Sequence, residues 1–251
     1  MSSRRRAAAA LAALGVAAWL LAAGGGALGE AGHGSRTRVF GHSVEGRALE
    51  VHRSGARDAA GEVMAIGVIH GNETAGRAVI KELRKQGTAP ANVELWTVLE
   101  MNPDGVAHGT RQNANGVDLN RNFPRGWRLQ GSPGSTYYSG PSPASEPETR
   151  AAMRLIRHVR PDVTIWYHQH LNLVDASRGA NRHLVKRYAQ VAGMRVERLP
   201  RLPGTATRWE NGTRRRANAF VVELPAGSLS SAEVRRHVRA VRAVGRMAAD
   251  R

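Results

Sequence analysis

The chain has 251 residues and a formal net charge of +17, from 37 basic and 20 acidic side chains. Lys81, Lys85 and Lys186 are the only lysines, so arginine carries nearly all the positive charge, and there is no cysteine, which excludes disulfides and a lipid-modified N-terminal thiol. The arginines are scattered rather than interleaved with aromatics along a stripe, so no nucleic-acid partner is expected; an anionic cell envelope is the more natural counterpart.

Arg4-Arg5-Arg6 precede an apolar run from Ala7 to Leu28, with small residues around Ala27 and Gly29. A basic start, an apolar middle and small residues at the end form the pattern of a secretory signal. The run approaches the ~20 residues that span a bilayer, so an uncleaved membrane anchor is the rival reading. Ser3-Arg4-Arg5 hints at a twin-arginine signal, of which the remainder is missing. Residues 1–35 are therefore read as a signal peptide or N-terminal membrane anchor, and the protein as exported: extracellular, periplasmic or envelope-associated.

Residues 36–251 suit one domain with a sizeable core. Arg38-Val39-Phe40 and Leu49 to His52 flank a Glu45-Gly46 turn and predict a β-hairpin. Val63–Ile69 and Val93–Leu99 are continuous apolar runs, as expected of strands buried on both faces. Between them, Thr74–Lys85 has helical spacing, with Ala75, Val79, Ile80 and Leu83 on one side. Asn102–Pro143 is dense in Gly, Asn, Pro and Ser and reads as one long loop, a length that usually serves function. Pro147 and the neighbouring acids open a helix that runs to about Val159. Pro161–Tyr167 predicts a strand, Arg182–Ala192 a helix, Ala219–Leu224 a strand and Ser231–Ala249 a closing amphipathic helix. Strands alternating with helices mean a single α/β domain, with a mixed, mostly parallel β-sheet flanked by helices.

The chemistry starts at Val68-Ile69-His70-Gly71-Asn72-Glu73, an apolar strand running into His-x-x-Glu. An imidazole and a carboxylate held close by a rigid strand end make half of a zinc site. A third ligand at the end of a neighbouring strand is offered by Val163-Thr164-Ile165-Trp166-Tyr167-His168. His170 lies two residues on and shares that face; His168 is preferred because it directly ends the apolar run.

The later segments add Asn102-Pro103-Asp104-Gly105, then Arg111, then Gly116-Val117-Asp118-Leu119-Asn120-Arg121-Asn122-Phe123-Pro124, and finally Val221-Val222-Glu223-Leu224-Pro225. In order and spacing this series resembles the zinc carboxypeptidase family across nearly all of 36–251. The resemblance implies one Zn²⁺ held by His70, Glu73 and His168, with a fourth position left open for catalysis. It makes Asp118 the acceptor that fixes the His70 tautomer. It makes Glu223 the base that takes a proton from the attacking water and later protonates the leaving amine. Arg111 matches the residue that stabilises the developing oxyanion. Asn120 and Arg121 match the pair that grips the terminal carboxylate, a task suited to a guanidinium fork.

Departures point to a branch. Asn72 stands where digestive carboxypeptidases have an arginine, and no tyrosine lies between Pro203 and Glu223, where Trp209 is the one aromatic before Phe220. The short domain resembles the bacterial murein-peptide branch, which cuts between γ-D-glutamate and diaminopimelate. The expectation is a monomeric hydrolase acting on peptide or muropeptide substrates. The alternatives are a general peptide carboxypeptidase, a deacylase of N-acyl amino acids, or a zinc-containing binding module without catalysis.

Overall fold

The structure is a computed structural model that describes residues 36–56, 59–87, 92–214 and 216–250. The segment read as a signal or anchor, 1–35, lies outside the described residues. Among the described residues no helix is long and apolar enough to cross a membrane.

The expected hairpin is β1 (Arg36–His42) and β2 (Ala48–Ser54), paired antiparallel. Two further strands, β3 (Gly61–Ile66) and β4 (Val93–Val98), run parallel to each other, and β2 lies antiparallel on β4. The helix between them, α1, spans Gly76–Gln86 and buries Val79, Ile80 and Leu83. β3 ends earlier than the apolar run suggests. Gly67 turns the chain across the end of β4, so close that a Cβ there would sit 2.6 Å from the Leu99 carbonyl oxygen. Val68 and Ile69 are thus buried in a turn rather than in the sheet.

The supposed long loop contains a short helix, α2 (Pro103–His108), and a 3-10 turn at Leu119–Arg121. After α3 (Pro147–Val159) comes β5, which spans Val163–Asp175. His168 therefore sits inside a strand, not at its end as the sequence pattern indicated. The strand continues because β7 (Ala219–Pro225) pairs with it through His170, and β6 (Arg195–Glu197) pairs with Leu173–Asp175. Helices α4 (Arg182–Ala192), α5 (Ala206–Thr213) and α6 (Ser231–Ala249) complete the domain. The boundaries of α4 and α6 are those expected. A Ser230–Glu233 capping box opens α6, satisfying amides at its start.

The sheet order is β1-β2-β4-β3-β5-β6, with β7 also on β5. Along β3 the side chains alternate between two cores. Val63 and Ala65 pack with α1, α4 and α6, while Met64 and Ile66 pack with α3, Phe123, Trp166 and Trp209. Burial on both faces explains the unbroken apolar runs, and makes the sheet a rigid support for whatever lies at its ends.

Candidate functional site

The chain passes from β3 to β4 on one side of β3 and later to β5 on the other. Open α/β sheets place ligands outside the carboxyl ends of strands at such a reversal. His70 follows β3 on the buried turn, and His168 lies on β5.

The glycines of two sequence motifs bring this corner together. A Cβ on Gly71 would lie 2.0 Å from the Gly105 carbonyl carbon, so the His-Gly-Asn-Glu and Asn-Pro-Asp-Gly segments touch backbone to backbone. Asn102 caps α2 by accepting from the Gly105 amide at 2.9 Å and donates to the Arg111 carbonyl at 3.3 Å. The same carbonyl accepts from the Gly71 amide at 3.3 Å. Arg111 is thereby fixed beside the turn that carries His70 and Glu73.

His70 Nδ1 lies 2.9 Å from Glu73 Oε1, and His168 Nδ1 lies 3.0 Å from Glu73 Oε2. The two Nδ1 atoms are 3.1 Å apart. Among the described residues these three form the one group able to share a metal ion. The far nitrogen of His70 meets Asp118 Oδ1 at 3.0 Å. A carboxylate only accepts, so that nitrogen carries the hydrogen and Nδ1 can turn a lone pair toward the cluster. Asp118 itself is held by the Asn120 amide at 2.9 Å. His170 is exposed, lies in a separate recess and is not in this group.

The electrostatics favour a cation here. Burial works against the Glu73 carboxylate, yet His70 and His168 outweigh it and hold it well below the usual range. Asp118 is likewise penalised by burial and held low by His70, Arg111 and Arg121. Burial disfavours the His70 imidazolium, but the Asp118 and Glu73 charges win and raise its pKa. Each group is tuned toward keeping positive charge between the carboxylates.

Arg111 Nη1 donates to Glu73 Oε1 at 2.7 Å and its Nε to Asp118 Oδ2 at 3.1 Å. Arg121 is nearly buried and donates to the Asn120 carbonyl at 2.8 Å, while Asn120 Oδ1 accepts from the Ala206 amide at 3.0 Å. Glu223 is the register partner of His168 across β5 and β7 and is only 9% exposed. Burial raises its pKa, with His168 opposing, and its Oε2 has no hydrogen-bond partner. His70, Glu73, Arg111, Asn120, Arg121, His168 and Glu223 all line one cavity of about 360 Å³. Asp118 stands behind His70, fully buried.

Residues 30–174 match the sequence profile of the zinc carboxypeptidase family, a span that covers more than half the chain and holds all of these residues except Glu223. The chain belongs to the zinc carboxypeptidase family. This chain is similar to murein peptide amidase A of Escherichia coli K12, with 35% identity over 124 residues, 43% of this chain and 49% of that protein. It thus spans about half the length of that relative. Among solved structures it is similar to murein-tripeptide amidase from Escherichia coli O157, at a TM-score of 0.68 and 25% identity, over 82% of this chain and 91% of that one. The fold is also shared with carboxypeptidase A from Helicoverpa armigera, at a TM-score of 0.71 and 20% identity, over 86% and 69% of the two chains.

The family's cofactor is one zinc ion, and the residues present fit it. Two imidazoles and one carboxylate converge within hydrogen-bond distance of one another, and Asp118 orients the first imidazole. Three protein ligands leave a position open, as a catalytic zinc requires.

Two residues at the site escaped the sequence reading. Gln169, between His168 and His170, donates its amide N–H to Glu73 Oε2 at 3.1 Å. Its side chain joins the Ala75 amide before α1 to the Pro225 and Gly227 carbonyls after β7. Adjacency to His168 was the available signal. Tyr137 is 54% exposed and lies over both arginines, with its ring centre 5.5 Å from Arg111 Cζ and 5.2 Å from Arg121 Cζ. It comes from the segment between Gly126 and Ser142, where the sequence shows no register. Trp209 takes no such part, being buried in the core against Phe123.

Proposed function

We propose that this chain is an exported zinc metallocarboxypeptidase that hydrolyses an amide next to a free carboxylate in cell-wall (murein) peptides. The observation that carries the hydrolase reading is Glu223: a buried carboxylate with a raised pKa and a free Oε2, held opposite His168 in the cavity that contains the metal-ligating group. A pure binding module has no use for a base placed there.

Zinc, when bound by His70, Glu73 and His168, supplies Lewis acidity toward water and the amide carbonyl. Glu223 accepts a proton from the attacking water at Oε2 and returns it to the departing nitrogen, so the C–N bond breaks with the amine leaving neutral. Arg111 turns its guanidinium toward the charge that grows on the carbonyl oxygen. Asn120 and Arg121 hold the terminal carboxylate and so set which amide meets Glu223. Asp118 keeps His70 in one tautomer throughout.

Murein as substrate is supported by the similarity to two proteins named for murein peptides, and by the apolar N-terminal run, which would place the enzyme where that polymer lies. The test is a substrate panel on the zinc-loaded protein with products identified by mass spectrometry. Release of diaminopimelate from a murein tripeptide, lost in Glu223→Gln, is the expected result. Cleavage of ordinary peptides alone makes it a general carboxypeptidase, and cleavage of acylated amino acids alone makes it a deacylase. Zinc and muropeptide binding without turnover would leave a binding module.

A further inference from the structure

Glu73, Arg111 and Gln169 line both the main cavity and the recess that holds His170. Open space on two sides leaves these residues little packing, so hydrogen bonds must hold them in place. Gln169, half-buried on β5, carries a large share of that bonding.

A side-chain amide offers one carbonyl acceptor and two N–H donors. Gln169 uses all three. Its Oε1 accepts from the Ala75 amide at 2.9 Å, and its Nε2 donates to the Pro225 carbonyl at 2.8 Å and to the Gly227 carbonyl at 2.9 Å. Each end of this bridge falls just past a carboxylate of the site. Ala75 is two residues after Glu73, and Pro225 is two residues after Glu223. One side chain thus joins the turn of the metal-ligating carboxylate to the strand of the base.

The backbone leaves this joint to a side chain. Pro225 brings no N–H, and the pairing of β5 with β7 shifts register around His170 and Leu171, so the ladder weakens just beyond Glu223. Residues 226–229 then lie outside helix and strand. Two amides of β5 reach the two carboxylates. The Gln169 amide donates to Glu73 Oε2 at 3.1 Å, and the Leu171 amide donates to the Glu223 carboxylate. Both bonds survive only while β5, the Glu73 turn and the end of β7 keep their spacing.

We infer that Gln169 is a positioning residue, whose carboxamide ties Ala75 to Pro225 and Gly227 and so sets the spacing between the metal-ligating Glu73 and the base Glu223. The bridge requires an amide. A glutamate would still accept from Ala75 but would face the two carbonyls as an anion with no N–H to give them. The inference rests on the hydrolase reading for the role of Glu223.

Gln169→Met keeps the side chain's length and loses all three bonds, whereas Gln169→Glu keeps the Ala75 bond alone. With zinc-loaded protein and a murein tripeptide, kcat per bound metal should fall by about 10–100-fold in both variants, with KM within about threefold of the unmodified protein. Cobalt in place of zinc gives a readout independent of turnover. Its visible absorption spectrum should shift in Gln169→Met, where the Glu73 turn is released, and match the unmodified protein in Gln169→Glu. Unchanged kcat per bound metal in both variants overturns the positioning role. Failure of both variants to fold also overturns it, because the bridge is then purely structural. If the unmodified protein cleaves no peptide, the hydrolase reading falls and the cobalt spectra decide: a shift confined to Gln169→Met supports the hold on Glu73, and three identical spectra overturn it.

Discussion

His168 on β5 and Glu223 on β7 are register partners on adjacent parallel strands, so a metal-ligating imidazole and a buried carboxylate stand side by side. Parallel strands lie ~4.8 Å apart, which brings the two side chains into one site without help from any loop. Burial of Glu223 keeps its proton affinity above that of an ordinary carboxylate, and Oε2 points to no protein donor. Glu223→Gln keeps the shape and removes the base. Its kcat should drop by about 10²–10⁴-fold, the usual worth of a positioned acid–base group. Zinc content, measured by elemental analysis, should stay at that of the unmodified protein. Activity retained within tenfold would remove Glu223 from the mechanism.

Asp118 is the next point of test. It accepts from His70 at 3.0 Å, from the Asn120 amide at 2.9 Å and from Arg111 at 3.1 Å. Asp118→Asn retains an oxygen for the Asn120 amide but weakens the hold on the imidazole. Zinc affinity, read by competition with a chelating dye, should fall by about 10–100-fold. An unchanged affinity would mean that the His70 tautomer is set without Asp118.

Much of this architecture was legible because it follows from burial. The boundaries of α4 and α6 and the hairpin came from apolar periodicity and caps, and both sheet faces are covered as the unbroken runs of β3 and β4 implied. The elements that escaped have weak local signals. β6 is three exposed residues, and α2 is six residues held by the Asn102 cap rather than by an apolar stripe. The extension of β5 past His168 depends on pairing with β6 and β7, which no local pattern encodes. At the site, the convergence of His70, Glu73 and His168 was readable as ordered motifs, whereas Tyr137 was not. Its position is set by the fold of its loop, for instance by Asn122 donating to the Ser139 carbonyl at 2.8 Å and Ser139 Oγ accepting from the Gln130 amide at 3.0 Å.

Tyr137 lies over both Arg111 and Arg121, so its removal should loosen two guanidiniums of the cavity at once. Each cation–π contact at an exposed position contributes about 0.5–1 kcal/mol. Tyr137→Ala should therefore raise KM by roughly five- to thirtyfold, with a smaller change in kcat. Tyr137→Phe keeps the ring and should behave like the unmodified enzyme. If the phenylalanine variant is as impaired as the alanine one, the hydroxyl rather than the stacking is what matters.

Glu210 offers a stability test separate from catalysis. It is fully buried on α5, receives one hydrogen bond from Thr164 Oγ1 at 2.5 Å, and its Oε2 has no partner. Burial pushes its pKa from 4.5 up to about 7, against the lowering effect of that hydrogen bond. The folded protein then keeps a proton on Glu210 through a window in which the unfolded chain has lost it. Stability from this group is full below pH 4.5, declines as the pH rises toward 7, and is level above that. At 1.36 kcal/mol per pH unit the loss is about 3 kcal/mol. Glu62, pushed to about 7 mainly by its own burial and by Glu94, adds slope in the same window. The difference between two proteins isolates Glu210. Glu210→Gln should melt above the unmodified protein at pH 8 by roughly 6–12 °C, and match it near pH 4.5. A difference that does not change with pH would show that the buried carboxyl does not titrate in this range.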